Sequence, residues 1–249
     1  MSEGQSFEKQ HEALKPETGP EVDIESVLEK GEIEEREDYL GCYWPIQRIK
    51  IKDDGIALFK IETKEPESAY YARGDYETIA IKLDRILGFN IVPTSVKRTI
   101  KDDRSTEDRG IMECFIDDAE PAIKFSIDWP TKTTQQEIVK AAVFDYLIGA
   151  RDRHSANFLI NSETGKIWLI DHAVDMFETG RHGSLIYDEA RGQEIPKEVL
   201  LELTALLEKL DSISTEETAA YAGETIDTSA IWKRIKENAT TLVSAKVIL

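Results

Sequence analysis

The most informative part of this sequence is residues 144–172, which read FDYLIGARDRHSANFLINSETGKIWLIDH. The apolar residues up to 148 continue a helix that a capping box at residues 134–137 opens and that Gly149 ends. A polar turn with Asp152 and Asn157 follows it. Residues 158–161 and 166–170 then predict two short strands around a turn, after which comes Asp171. Oxygen-bearing side chains are thus expected on adjacent, rigid, apolar supports.

The spacing within this stretch suits phosphoryl transfer. Asp152 and Asn157 are five residues apart, which is the spacing of the base and the metal-binding Asn in protein-kinase catalytic loops. Asp171 follows the returning strand, where its carboxylate can meet Asn157. Carboxylate and amide oxygens, completed by phosphate oxygens and water, suit Mg²⁺. The alternative is a surface loop with local salt bridges. The combination of helix, turn and hairpin favours a small, atypical kinase.

Lys60 is an unusual residue in a predicted apolar strand. Residues 45–51 and 56–61 predict a hairpin, and Lys60 stands between Phe59 and Ile61. By alternation its side chain shares a face with Ile56. A lysine on such a face needs a partner or must extend out to water. In a kinase it would hold the nucleotide phosphates; the alternative is an edge-strand lysine that faces water.

Glu77 is a candidate partner for that lysine. It lies on a helix predicted over residues 75–87, which Gly88 ends. It falls on a second face beside the apolar stripe, 17 residues after Lys60. Three interpretations are open: an ion pair with Lys60, a metal ligand, or a solvated glutamate that interacts with the helix dipole.

The remaining helices and strands are predicted from the sequence pattern, and few functional residues are assigned to them. A helix is expected over residues 22–28, strands over 92–100 and 111–116 around a charged loop at 101–110, and helices over 197–209 and 228–242. Residues 117–132 are expected to form a loop. In a two-lobed kinase the strand 111–116 would lead into the hinge, where backbone groups from Glu113 to Phe115 would contact adenine.

Composition excludes several classes of protein. A net charge of −18 argues against a nucleic-acid-binding surface. No apolar run is long enough to insert stably in a membrane, and the N-terminus lacks a signal pattern, so a cytoplasmic location is expected. The 2 cysteines, Cys42 and Cys114, are expected to be structural thiols. Residues 1–40 hold 13 acidic and 4 basic residues, and residues 1–20 are predicted to be a disordered acidic tail.

Two stretches of the sequence resemble a known superfamily. The Asp152-Arg153-His154-x-x-Asn157 turn followed by Asp171-His172 resembles the catalytic and metal motifs of the atypical protein-kinase-like fold. That fold includes phosphoinositide 3- and 4-kinases, HipA-type kinases and the secretory-pathway (Golgi casein-kinase-type) kinases. Residues 76–93 are especially similar to the helix and strand of the secretory-pathway kinases and their bacterial relatives. The resemblance covers roughly residues 45–175.

The resemblance implies an α+β, two-lobed kinase-like fold. A small β-rich N-lobe over residues 21–117 would carry one main helix, and a mainly helical C-lobe would span 118–249. ATP and Mg²⁺ or Mn²⁺ would be the cofactors, and the acceptor would be a hydroxyl on a protein Ser/Thr, a sugar or another small molecule. The implied roles are catalysis by Asp152, metal binding by Asn157 and Asp171, phosphate binding by Lys60, pairing of Glu77 with Lys60 or the metal, and assistance or loop fixing by His154. Arg153 is expected to brace the loop.

The sequence also departs from that pattern. No G-x-G-x-x-G loop is present, and Asp171 is followed by His172 and Ala173 where a Phe-Gly or related pair is common. The secretory relatives carry disulfides and a signal sequence. This sequence shows neither, which favours a microbial cytosolic relative. Two other functions stay open: a nucleotide-binding pseudokinase that acts as an interaction module, and a transferase of the nucleotidyl (AMP) group on the same fold.

Overall fold

The protein combines a β-rich first part with a mainly helical second part. The computed structural model describes residues 23–39, 45–52, 55–62, 73–101, 107–172, 183–212 and 228–249. The acidic tail predicted for residues 1–20, Cys42 and the segment that follows His172 lie outside the described residues. In the part that is described, no helix has both the length and the apolar composition needed to span a membrane.

An antiparallel sheet forms the first part. Among the described residues it has five strands in the order β1-β2-β3-β5-β4. Their bounds are β1 Ile33–Asp38, β2 Ile46–Ile51, β3 Gly55–Ile61, β4 Ser95–Lys101 and β5 Glu107–Cys114. The predicted hairpin is β2 and β3, in which Ile46 pairs with Lys60. Lys60 therefore lies on a strand with neighbours on both sides, and the edge-strand alternative for it is wrong.

Two features of this sheet differ from the sequence prediction. The loop expected over residues 101–110 is too long, because β5 begins at Glu107 and pairs with Lys101 of β4. Cross-strand pairing thus extends a strand through residues whose charge suggested a loop. The sequence analysis also missed β1, whose residues IEERED show no clear apolar alternation. Its side chains are intermediate or exposed because it is an edge strand paired only with β2.

A small apolar cluster lies under the sheet. Helix α1, Ile24–Lys30, places Leu28 in it, against Ile49, Phe59 and Met112. Arg98 of β4 fixes the end of this helix, because its guanidinium donates to the backbone oxygens of Leu28 (2.9 Å) and Gly31 (2.6 Å).

Helix α2, Arg73–Leu87, connects the sheet to the helical part. Its apolar stripe, including Ile79, Leu83 and Leu87, belongs to the same buried cluster as the later helices. Asp84 turns the chain after the helix, since its carboxylate accepts hydrogen bonds from the backbone of Ile91 and Val92. The helix thus carries Glu77 on a support that both parts of the molecule hold in place.

The second part contains a three-stranded sheet and a helical core within the described residues. Strand β6, Glu120–Pro121, pairs with β7, Phe158–Ile160, which pairs with β8, Ile167–Leu169. The helices are α3 Gln135–Ile148, α4 Leu185–Ala190, α5 Lys197–Ser212 and, as the last one, α6 Thr228–Ala245. The predicted boundary near residue 117 falls between β5 and β6 and stays a prediction.

Helix α3 is the centre of the larger core. The side chain of Thr134 accepts from the backbone N–H of Glu137, and Gly149 ends the helix in a left-handed conformation, as predicted. Residues 117–132, however, are not simply a loop: they contain β6 and a 3₁₀-helical segment, Ala122–Lys132, which a kink at Ser126 interrupts. Trp129 anchors that segment through an edge contact with Phe158, with ring centres 5.0 Å apart. The sequence did not predict this packing, because Trp129 is a single aromatic residue in a stretch that contains proline.

Candidate active site

The turn after α3 presents Asp152 to solvent. The Asp152 side chain is 51% exposed. The side-chain nitrogen of Asn157 donates to the backbone oxygen of Asp152 over 2.8 Å, which fixes the spacing between the two residues. Because its nitrogen is used in this way, the carboxamide oxygen of Asn157 is the atom that could bind a cation.

His154 lies beside Asp152 in the same turn. Its Nδ1 accepts a hydrogen bond from the backbone N–H of Ala156 over 3.2 Å. The proton of a neutral ring is then on Nε2, which is 3.9 Å from Oδ1 of Asp152. The geometry therefore fits both roles that were left open for His154, fixing the loop and assisting Asp152.

Asp171 lies opposite this turn. It follows β8 and has a left-handed backbone with φ of 57°, a conformation that Asp tolerates better than most residues. Asp152, Asp171 and His172 line one small pocket between the turn and the end of β8. The structure thus brings together the carboxylates that the sequence analysis selected.

Lys60 and Glu77 form a buried ion pair. The ammonium of Lys60 lies 3.0 Å from Oε1 of Glu77, and the two residues are 3% and 1% exposed. This contact agrees with the ion-pair interpretation of the 17-residue spacing, and the solvated interpretation of Glu77 is wrong. Lys60 also lies 2.6 Å from Oε2 of Glu113. Two carboxylates therefore share one ammonium.

His172 joins this ion pair to the Asp171 side of the pocket. Its backbone N–H donates to Oε1 of Glu77 over 3.3 Å, and its Nδ1 lies 3.1 Å from Oε2 of the same carboxylate. Burial, the larger effect, holds the pKa of His172 below its ordinary value, although the hydrogen bond to Glu77 opposes this shift. Glu77 therefore contacts both Lys60 and the residue that directly follows Asp171.

The segment Glu113 to Phe115 was selected for its backbone groups, and the structure adds a side-chain contact. The Glu113 side chain turns inward to Lys60, while the backbone N–H of Phe115 donates to the oxygen of Ile56 over 3.4 Å. Contact of this segment with adenine stays a prediction.

Burial, followed by the nearby Glu113 carboxylate, raises the pKa of the Cys114 thiol to about 11. Cys114 is therefore a protonated structural thiol at neutral pH.

The oxygen donors of two residues suit a hard divalent cation, and one of them, Asp171, lines the pocket. Asn157 and Asp171 offer an amide and a carboxylate oxygen, which suit Mg²⁺ and Mn²⁺ better than softer metals. Within the described residues no group of three or more His, Cys, Asp or Glu side chains is arranged as a complete metal site. The pair therefore fits a cation that takes its other ligands from phosphate and water.

The side-chain contacts of three residues that shape the site were not predicted, although Glu113 had been selected for its backbone. Glu113 and Asp145 are single carboxylates within apolar stretches of β5 and α3, the same kind of signal that drew attention to Lys60. His172 was noted only as a departure from the usual motif. The partners of Glu113 and His172 are 53 and 95 residues away. Asp145 contacts Arg153, 8 residues away, and Ser184, 39 residues away.

Comparison with known proteins gives a structural match alone. No protein-family model and no curated protein sequence matches this chain. The solved structure of hydra Fam20 with sugar superposes with a TM-score of 0.57 at 14% identity, and the match covers 90% of this chain and 89% of that one.

Further solved structures resemble the chain with TM-scores below 0.5. They include the Golgi casein kinase (0.49, 15% identity, 89% of this chain and 74% of that one) and the Helicobacter pylori proinflammatory kinase CtkA (0.47, 13% identity, 89% and 94%). This chain has an α+β, protein-kinase-like fold.

Proposed function

We propose that this protein transfers the terminal phosphate of ATP to a hydroxyl group, with Mg²⁺ or Mn²⁺ as cofactor. The observation that carries the proposal is the double contact of Glu77. One of its oxygens lies 3.0 Å from the ammonium of Lys60, and the other lies 3.1 Å from Nδ1 of His172. Glu77 thereby links the ammonium of Lys60 to His172, which directly follows Asp171 and lines the same pocket as Asp152.

Each residue has a definite task in this proposal. Asp152 orients the acceptor hydroxyl and accepts its proton, because its carboxylate is exposed at the pocket while its backbone is fixed by Asn157. Asn157 and Asp171 hold the metal, which neutralises charge on the phosphates. Lys60 binds phosphate oxygens, and Glu77 keeps its ammonium directed to that place. His154 holds the turn and its Nε2–H faces Asp152.

The acceptor belongs to the class of hydroxyl compounds, either a protein Ser/Thr, a sugar or another small molecule. The hydra protein named above was solved with a sugar, so sugars are a reasonable first panel beside Ser/Thr peptides. A cytoplasmic location and the absence of nucleic-acid partners stay predictions from composition.

The identity of the products tests the proposal. The protein is incubated with ATP, Mg²⁺ or Mn²⁺ and each acceptor panel, and nucleotides and acceptors are analysed by mass spectrometry. We expect ADP to form in step with an acceptor that has gained one phosphate, and we expect EDTA to stop both. Formation of pyrophosphate with an AMP-modified acceptor would instead identify a nucleotidyl transferase. ATP binding without product across both panels would favour a pseudokinase.

A further inference from the structure

Asp145 is a buried carboxylate without a task in the reaction proposed above. It lies on α3 between Phe144 and Tyr146 and is only 1% exposed. Its oxygens accept hydrogen bonds from Nε of Arg153 at 3.1 and 3.2 Å and from the hydroxyl of Ser184 at 2.7 Å. A buried ion pair is weak evidence for a gain in stability, so its position relative to the site is the informative feature.

Arg153 connects the carboxylate of Asp145 to the backbone at the proposed metal ligands. Its Nη1 donates to the backbone oxygen of Asn157 over 2.7 Å and to that of Ile170 over 2.6 Å. The backbone N–H of Ile170 also donates to the oxygen of Asn157, over 3.1 Å. Ile170 directly precedes Asp171. One planar, permanently charged guanidinium therefore fixes the backbone at both proposed metal ligands.

The carboxylate of Asp145 also binds the segment of residues 183–185, which lies beside the catalytic turn. The backbone N–H of Arg153 donates to the oxygen of Gly183, and the N–H of Leu185 donates to the oxygen of Arg153. Gly183 lies so close that a Cβ there would be 1.8 Å from the backbone oxygen of Arg151. Ser184 is the link, because its hydroxyl bonds Asp145. The turn with Asp152 is thus held from two sides.

We propose that Asp145 is a positioning residue for the metal pair and acts through Arg153. The inference rests on the proposed function, since it assigns the support of the same site. By directing the guanidinium at the oxygens of Asn157 and Ile170, Asp145 sets the separation and direction of the two ligands. Partners that orient metal ligands typically change metal affinity by about 10–100-fold when they are removed.

The decisive variant removes both charges together. Asp145→Asn alone leaves the Arg153 cation buried without its counter-charge, and the fold is expected to suffer for that reason alone. In Asp145→Asn/Arg153→Met both charges are gone, so thermal stability should recover relative to the single variant. The two backbone oxygens would still lack their guanidinium. We therefore expect the Mn²⁺ concentration that gives half of the ATP-dependent stabilisation to rise by about 10–100-fold.

A matched control separates positioning from general loss of packing. Arg98 also donates from its guanidinium to two backbone oxygens, but it does so at the end of α1. Arg98→Met should lower thermal stability and leave the Mn²⁺ midpoint unchanged. If the double variant does not fold, Arg153→Lys keeps a cation beside Asp145 but loses the fork that reaches both oxygens, and the same rise in midpoint is expected.

The outcomes can be told apart from failure of the proposed function. If wild type itself shows no metal-dependent stabilisation by ATP, the proposed function fails. If wild type shows it and the folded double variant, or Arg153→Lys in its place, has the wild-type midpoint, the role assigned to Asp145 is wrong. An equal rise in Arg98→Met would also overturn that role, because the effect would then follow stability alone.

Discussion

Replacement of Asp152 by Asn should reduce phosphate transfer by about 10²–10⁴-fold, the usual contribution of a positioned general base. The side chain is 51% exposed, and its contribution to the described packing is small. The backbone oxygen that holds Asn157 is unchanged in the variant. We therefore expect normal thermal stability and nearly normal affinity for ATP with metal. The loss should appear in kcat, measured from initial rates of ADP formation.

The control for this variant is Asp211→Asn. Asp211 is likewise an exposed carboxylate, with an ion pair to Lys236 far along the chain from the turn. It should have wild-type kcat. Normal turnover by Asp152→Asn would remove Asp152 from the reaction, and with it the strongest part of the motif.

Replacement of Lys60 by Met should both destabilise the protein and abolish phosphate binding. The ammonium is the shared partner of Glu77 and Glu113, and all three residues are buried. Loss of one partner from a buried ion pair costs about 3–5 kcal/mol. In a chain of this size that corresponds to a fall in Tm of about 6–20 °C, measured by thermal unfolding.

The variant Lys60→Met/Glu113→Gln distinguishes the two effects. It removes the charge of Glu113, whose Oε2 lies 2.6 Å from the ammonium of Lys60, while Glu77 keeps its contacts with His172. Part of the stability should return, whereas affinity for ATP with metal should stay at the level of Lys60→Met. Recovery of ATP affinity together with stability would show that Lys60 acts only on the fold.

Local sequence signals predicted the elements that carry the site. Two apolar runs around a turn identified the strand of Lys60, capping residues identified α3, and the hairpin spacing placed Asp171 after β8. Each of these signals depends on residues a few positions apart, so a single sequence contains it. The match to hydra Fam20 supports the fold that the resemblance of the motifs implied.

Other features depend on long-range contacts that a single sequence does not specify. Lys60 evidently needed a buried partner, yet Glu113, 53 residues away, approaches it more closely than Glu77 does. Strand β1 is ordered by pairing with β2, despite its polar composition. The 3₁₀-helical segment is interrupted at Ser126, whose φ of 52° and ψ of −131° are not helical, and no common turn signal predicts this conformation at a serine.

Binding of ATP with metal is the most direct test of the site as a whole. Thermal unfolding of wild type and Asp171→Asn is compared with ATP alone, with Mg²⁺ or Mn²⁺ alone, and with both. Asn is chosen because it also tolerates the left-handed backbone of Asp171. We predict a rise in the Tm of wild type that requires ATP and metal together, as ligand binding to the folded state demands. The rise should be lost in Asp171→Asn. An equal rise in both proteins, or no rise in wild type with either metal, would contradict the assignment of this pocket as a nucleotide and metal site.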